Sequence, residues 1–137
     1  MRLKNFSLQF GQQVFKSMSD ESRIRIMNLL LHHKELCGTD LELILDFTQT
    51  KTSRHMNYLK NAGLVRLKKS DMWTFYYIKE EVLDIIEQIF KYLEKDQTMM
   101  HDLENYRVLF SNRELVAYKI ENRKWSNNDP RHSRLNK

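Results

Sequence analysis

Thr48-Gln49-Thr50-Lys51-Thr52-Ser53-Arg54-His55-Met56-Asn57-Tyr58-Leu59-Lys60-Asn61-Ala62-Gly63-Leu64-Val65 is the stretch whose reading decides the fold. It reads as one helix capped at both ends, with a strand behind it. Thr48 offers a side-chain oxygen to the unpartnered N–H groups of the first turn, and Gly63 stands where a left-handed C-terminal cap is wanted. Thr52, Met56 and Leu59 fall at i, i+4 and i+7 and make one narrow inward stripe. The other face carries Thr50, Lys51, Ser53, Arg54, Asn57 and Lys60. From Thr48 through Lys69 there are six Lys or Arg and no Asp or Glu. Taken alone, a basic helix is more often a solvated surface than a binding element. A narrow apolar stripe beneath a cationic, hydroxyl-rich face also suits the major groove of DNA. The flanking segments decide between the two.

Upstream, Phe6, Phe10, Val14 and Met18 recur at a spacing of four and predict a helix over 6–18. A second helix is predicted over 20–33, with Ser19 or Asp20 as its cap and Ile24, Met27, Leu30 and Leu31 buried. Leu36 to Phe47 reads as a short third helix, with Leu41, Ile44 and Leu45 inward and Asp40 near its positive end. Downstream the period changes to two. Leu64–Lys69 alternates, Trp73–Ile78 is aromatic and β-prone, and Ser70-Asp71-Met72 forms a polar tip between them, so this is a β-hairpin. Residues 79–96 return to helical period with a wide apolar stripe, and 99–121 predict a further helix with a break near Ser111-Asn112. From Ser126 the chain is polar, holds Pro130, and is expected to be disordered. The expected organisation is a winged helix-turn-helix over 6–97 for DNA binding and dimerisation, a helical extension over 98–125, and a basic tail over 126–137. The fold class is mostly α with a small β-hairpin wing. The 6–18 and 79–96 helices are expected to form an α-helical dimer interface, since both carry more apolar surface than a small monomer needs.

The totals narrow the class. The 137 residues suit one domain with an extension; 3 Gly and 1 Pro argue against a turn-rich all-β fold. The net charge of +5 is unevenly spread: +6 lies on 48–69 and +4 on 123–137, which leaves the remainder acidic. Such polarisation fits an acidic partner. The single cysteine, Cys37, excludes an intramolecular disulfide framework. With no apolar leader and no apolar run of membrane-spanning length, a soluble cytoplasmic protein is expected.

The order helix, helix, short helix, capped helix, basic hairpin, helix is that of a winged helix-turn-helix, and the residues resemble the ArsR/SmtB repressors. Asp20-Glu21-Ser22-Arg23-Ile24-Arg25-Ile26 is similar to that family's "DPxRxxI". Glu35-Leu36-Cys37-Gly38-Thr39-Asp40-Leu41 resembles "ELCVCDL". Thr48-Gln49, Ser53, His55, Leu59 and Ala62-Gly63-Leu64-Val65 resemble "SQxxVSxHLxxLxxAGLV". The likeness covers roughly residues 10–95. It implies a homodimer that binds palindromic double-stranded operator DNA and releases it when an effector binds. The effector itself is left open. The departures matter too. Thr39 stands where the family's soft-metal site has a second cysteine, so no metal site and no cofactor are expected. Asp71 stands where the wing tip usually has Gly, Met72 where Arg is common, and Thr52 where the family is apolar.

The candidate DNA-binding residues are Thr48, Gln49, Thr50, Lys51, Ser53, Arg54, His55, Asn57, Tyr58 and Lys60 on the helix and Arg66, Lys68 and Lys69 on the wing. Thr50, Ser53, Arg54, His55, Asn57 and Tyr58 are candidates for base and phosphate contact, with Arg54 or Asn57 able to read base edges, and the wing cations are candidates for phosphate. His55 is balanced between contact and a structural hydrogen bond. Trp73 and Phe75-Tyr76-Tyr77 read as strand core. Cys37 is a candidate redox sensor; the plainer reading is a small buried apolar residue. His101 and Glu104 share a helix face at metal-ligand spacing, but Asp84 followed by Ile85-Ile86 lacks the other half of the family's zinc pattern. They read as a solvated pair, and His32-His33 with Glu35 as a polar helix end. No enzymatic constellation is present. The rival reading is a winged-helix module that binds a protein partner, which the acid-free run over 48–69 disfavours. RNA is disfavoured by the shape of its major groove.

Overall fold

The computed structural model describes residues 5–111. Its elements are α1 (Leu8–Ser17), α2 (Glu21–His33), β1 (Glu35–Cys37), α3 (Gly38–Leu45), α4 (Gln49–Asn61), β2 (Val65–Ser70), β3 (Trp73–Ile78), α5 (Glu80–Lys91) and α6 (Gln97–Ser111). This is mostly helical with one small antiparallel sheet in the order β1-β3-β2, the winged helix-turn-helix expected above.

The helices start where the cap chemistry puts them. Ser7 accepts from the Phe10 N–H at 3.0 Å, Asp20 from Arg23 at 3.1 Å and Thr48 from Lys51 at 3.1 Å. Helix α4 ends in a paired motif. The Leu64 N–H reaches the Leu59 carbonyl at 3.0 Å and the Gly63 N–H reaches that of Lys60 at 3.1 Å, with Gly63 at φ +87°. A Cβ at Gly63 would also lie 3.1 Å from the Phe10 ring, so glycine is required twice over.

Two expectations are corrected. Residues 35–37 are a strand, not the start of the third helix: Leu36 pairs with Tyr76 and Cys37 with Phe75, so the hairpin gains a third strand. The Cys37 N–H donates to the Asp40 carboxylate at 3.1 Å, which starts α3 at Gly38. The predicted 79–96 helix ends at Lys91, because Asp96 accepts from the Met99 N–H at 3.1 Å and caps a new helix. Helix α6, which begins the stretch expected as an extension, packs on the rest of the chain. Met99 and Leu109 are buried with Leu103 and Tyr106 against the common core; fully burying side chains of this size contributes about 1.5–3 kcal/mol each. The expected continuation of this helix to 121, its break near Ser111-Asn112 and the tail from 126 lie outside the described residues.

The core is formed by Ile26, Met27, Leu29 and Leu30 of α2, Leu41 and Ile44 of α3, Met56 and Leu59 of α4, and Val82 and Ile86 of α5. Two-residue hairpin turns need a positive φ, and Asp71 supplies it at +55°. Among the described residues, no helix is long and apolar enough to cross a membrane.

Candidate nucleic-acid interface

Helix α4 divides into two faces. Thr52, His55, Met56 and Leu59 are buried. Thr48, Gln49, Thr50, Ser53, Arg54, Asn57 and Lys60 are exposed, and Lys51 is half-buried. Thr50, Ser53, Arg54 and Asn57 fall at i, i+3, i+4 and i+7, so they form one continuous outward stripe. Thr52 sits in the apolar face without an orphaned hydroxyl, since its Oγ1 donates to the Thr48 carbonyl at 2.9 Å.

His55 is the residue the structure removes from the contact surface. It is 6 % exposed, on the inward stripe beside Met56. Burial depresses its pKa, the nearby Arg23, Arg54 and Lys51 charges add to this, and Asp20 opposes them. It therefore helps seat α4 against the α2 start instead of entering a groove. Tyr58 is only partly available. The Arg23 guanidinium lies 4.0 Å from its ring centroid while Arg23 Nε donates to the Ser17 carbonyl at 2.9 Å. Arg23 thus ties the end of α1 to the outer part of α4. Its place in the DPxRxxI-like segment was visible in the sequence, but this bridging contact was not. Lys51 holds its ammonium 4.0 Å from the Phe47 ring centroid, a favourable cation–π distance.

On the wing, Arg66, Lys68 and Lys69 are all exposed. They do not form one patch. Side chains alternate along β2, so Arg66 and Lys68 share a face and Lys69 lies on the other. Lys68 also pairs with Glu35 of β1 at 3.0 Å. Its phosphate contact would have to compete with that carboxylate. Trp73, Phe75, Tyr76 and Tyr77 are half-buried, between strand core and surface.

Cys37 does not have the environment of a sensor. It is 4 % exposed. Burial, reinforced by the Asp40 charge, pushes its pKa up to about 12, so the group is a thiol and not the thiolate that oxidants and metals attack. Thr39 is buried beside it in sequence and cannot replace a second thiolate; a soft ion does not fit this donor set. The His101/Glu104 spacing also dissolves. Glu104 bonds Arg107 at 3.0 Å, and Asp102 between them is fully buried against Arg25.

With this geometry established, comparison with known proteins is decisive. Residues 20–66 match the family model described as bacterial regulatory protein, arsR family. The cadmium resistance transcriptional regulatory protein CadC of Listeria innocua is 37 % identical over 87 residues, spanning 63 % of this chain and 73 % of that protein. The chain belongs to the ArsR family. It is a DNA-binding transcriptional regulator. Among solved structures, HlyU from Vibrio cholerae is similar at 30 % identity and a TM-score of 0.56, covering 60 % of this chain and 89 % of its own. The homodimeric winged helix-turn-helix domain Mb0332 from Mycobacterium bovis gives a TM-score of 0.59 at 21 % identity, covering 64 % and 82 %; at that identity the likeness is one of fold. For an ArsR-family chain, the exposed stripe of α4 is the surface to test first.

Proposed function

We propose that this ArsR-family chain is a repressor that binds a palindromic operator as a homodimer and leaves it when an effector binds. The observation that carries the reading is the outward stripe Thr50, Ser53, Arg54 and Asn57 on α4, set in a segment with no carboxylate from Thr48 to Lys69. Arg54 or Asn57 reads base edges. Thr48, Gln49, Thr50, Lys51, Ser53 and Lys60 hold phosphate, with Arg66 and Lys69 of the wing doing the same at the flanks and Tyr58 at the margin. Two-fold symmetry follows from exposed apolar groups. Leu8 is 91 % and Tyr92 92 % exposed, and Ile85, Ile89 and Leu93 line an open cleft on the outer side of α5. A second copy covering α1 and α5 removes this surface from water at about 25 cal/mol per Å². The effector is not a soft ion held by Cys37, for the donor reasons given above.

The test is a gel shift with the DNA upstream of the protein's own gene over a salt series. If the dimer contacts roughly 6–10 phosphates, affinity falls by about 10³-fold or more between roughly 50 and 200 mM salt. A flat response, or a stable monomer in sedimentation at micromolar concentration, overturns the reading in favour of a protein-interaction module.

A further inference from the structure

We infer that Asp102, on α6, positions the start of the recognition helix through Arg25 and Phe47, which makes α6 part of the DNA-reading apparatus. The inference rests on the operator-binding reading above. Asp102 is completely buried, and a carboxylate in that setting persists only with a partner. Arg25 of α2 is that partner: its Nε and Nη2 donate to the two carboxylate oxygens at 2.8 and 2.9 Å. A two-pronged bond of this kind fixes the plane and position of the guanidinium.

The held guanidinium lies 5.4 Å from the ring centroid of Phe47. Phe47 is the connection between the helices of the motif. It is 4 % exposed, follows the left-handed Asp46 that ends α3, and precedes Thr48, the cap of α4. The seat of this ring therefore sets how α4 departs from α3. The same ring carries the Lys51 ammonium at 4.0 Å, and the Lys51 N–H is the donor to the Thr48 cap. Two cations share one π-system. Without Asp102, Arg25 would repel Lys51 and compete for the ring. With Asp102, Arg25 is compensated and Lys51 remains the uncompensated charge presented at the start of α4. Asn105, one turn on along α6, donates to the Ile44 carbonyl at 3.4 Å and gives the same helix a second hold on α3.

A pair that merely fastened α6 to α2 would affect DNA binding independently of Lys51. A double-mutant cycle separates the two. In the full chain, Asp102→Asn is expected to weaken binding to the upstream DNA by roughly 3- to 30-fold. In a Lys51→Gln background the same change is expected to cost less than about twofold, because the group it positions is gone. Losses that multiply, or an unchanged affinity in Asp102→Asn, overturn the inference. Should Asp102→Asn fail to fold, Phe47→Leu tests the same path: it keeps an apolar filler and removes the π-face, and its loss must likewise shrink in the Lys51→Gln background. A measurement without DNA separates this inference from the function it rests on. The amide resonances of Thr48 to Thr52 in the free protein should shift in the Asp102→Asn or Phe47→Leu variant. Shifts alongside an unaltered protein that binds no DNA would overturn the functional reading alone; unmoved resonances overturn the coupling whether or not DNA is bound.

Discussion

On α4, Arg54 and Lys60 stand in water within a segment that holds no carboxylate, whereas on α6 the acids are matched, Asp102 to Arg25 and Glu104 to Arg107. The first arrangement costs the folded monomer little, since exposed cations keep their hydration, and it leaves charge available to a polyanion. At Asp102 the second withdraws charge from the surface and converts it into fixed geometry, while the Glu104–Arg107 pair stays exposed. Charged residues thus serve two ends: those of α4 face a partner directly, and Asp102 of α6 acts through the packing of the chain. A substitution on α4 should be felt in binding and scarcely in folding. One at Asp102 should be felt first in folding.

The sharpest break of this contrast is Asp102→Ala. It leaves the Arg25 guanidinium half-buried without its acceptor, and breaking such a pair costs about 3–5 kcal/mol. Arg54→Ala, an exposed change, should stay within about 0.5 kcal/mol of the unaltered protein. Urea unfolding of both variants checks the pair of values. Equal stabilities would mean that the buried pair contributes nothing and that the two helices do not differ in kind.

The second expectation inverts the order. Arg54→Ala should cost about 1–3 kcal/mol on the operator if it reads a base, with a much smaller loss on random DNA. Equal losses on both would assign it to phosphate and pass the base-reading position to Asn57. Competition gel shifts with specific and random fragments distinguish these.

The same contrast explains what could be read from the residues alone. Caps are local: Thr48 and Gly63 act on neighbours a few positions away, so the limits of α4 were legible, as were the hairpin and the apolar stripes of α2 and α5. Strand β1 was not, because three residues carry no period and their partner lies some forty positions on at Phe75–Tyr77. The Arg25–Asp102 pair spans 77 positions, and a charged residue ordinarily argues for the surface. His55 is more instructive. Thr52, His55, Met56 and Leu59 fit i, i+3, i+4 and i+7, the full pattern of an inward face. Helical geometry favours burial, so of the two roles left open for His55, contact and a structural one, its position supports the second. Cys37 was legible as a small buried residue, and its pairing with Phe75 supplies the reason.

The smallest effect concerns pH and the seat of α6. His33 stacks on Tyr106 with ring centroids 3.5 Å apart, and Tyr106 stacks in turn on Phe110 at 4.8 Å. Burial, helped by the neighbouring His32, holds the His33 pKa below its ordinary 6.5. The unfolded chain therefore takes up this proton first as the medium is acidified. The contribution to stability is complete above pH ~6.5 and declines as pH falls through that value toward the folded one. Asp20 and Glu104, both held below their ordinary 3.8 and 4.5, titrate under this window and do not obscure it. His55, whose pKa is likewise depressed, contributes in the same direction. His33→Phe keeps an aromatic face against Tyr106 and removes one of the two titrations. The loss of stability between pH 7 and 5, read from unfolding midpoints, should shrink in this variant without vanishing. A slope unchanged from the original would place the pH sensitivity on His55, at the recognition helix, and leave the α2–α6 contact indifferent to acid.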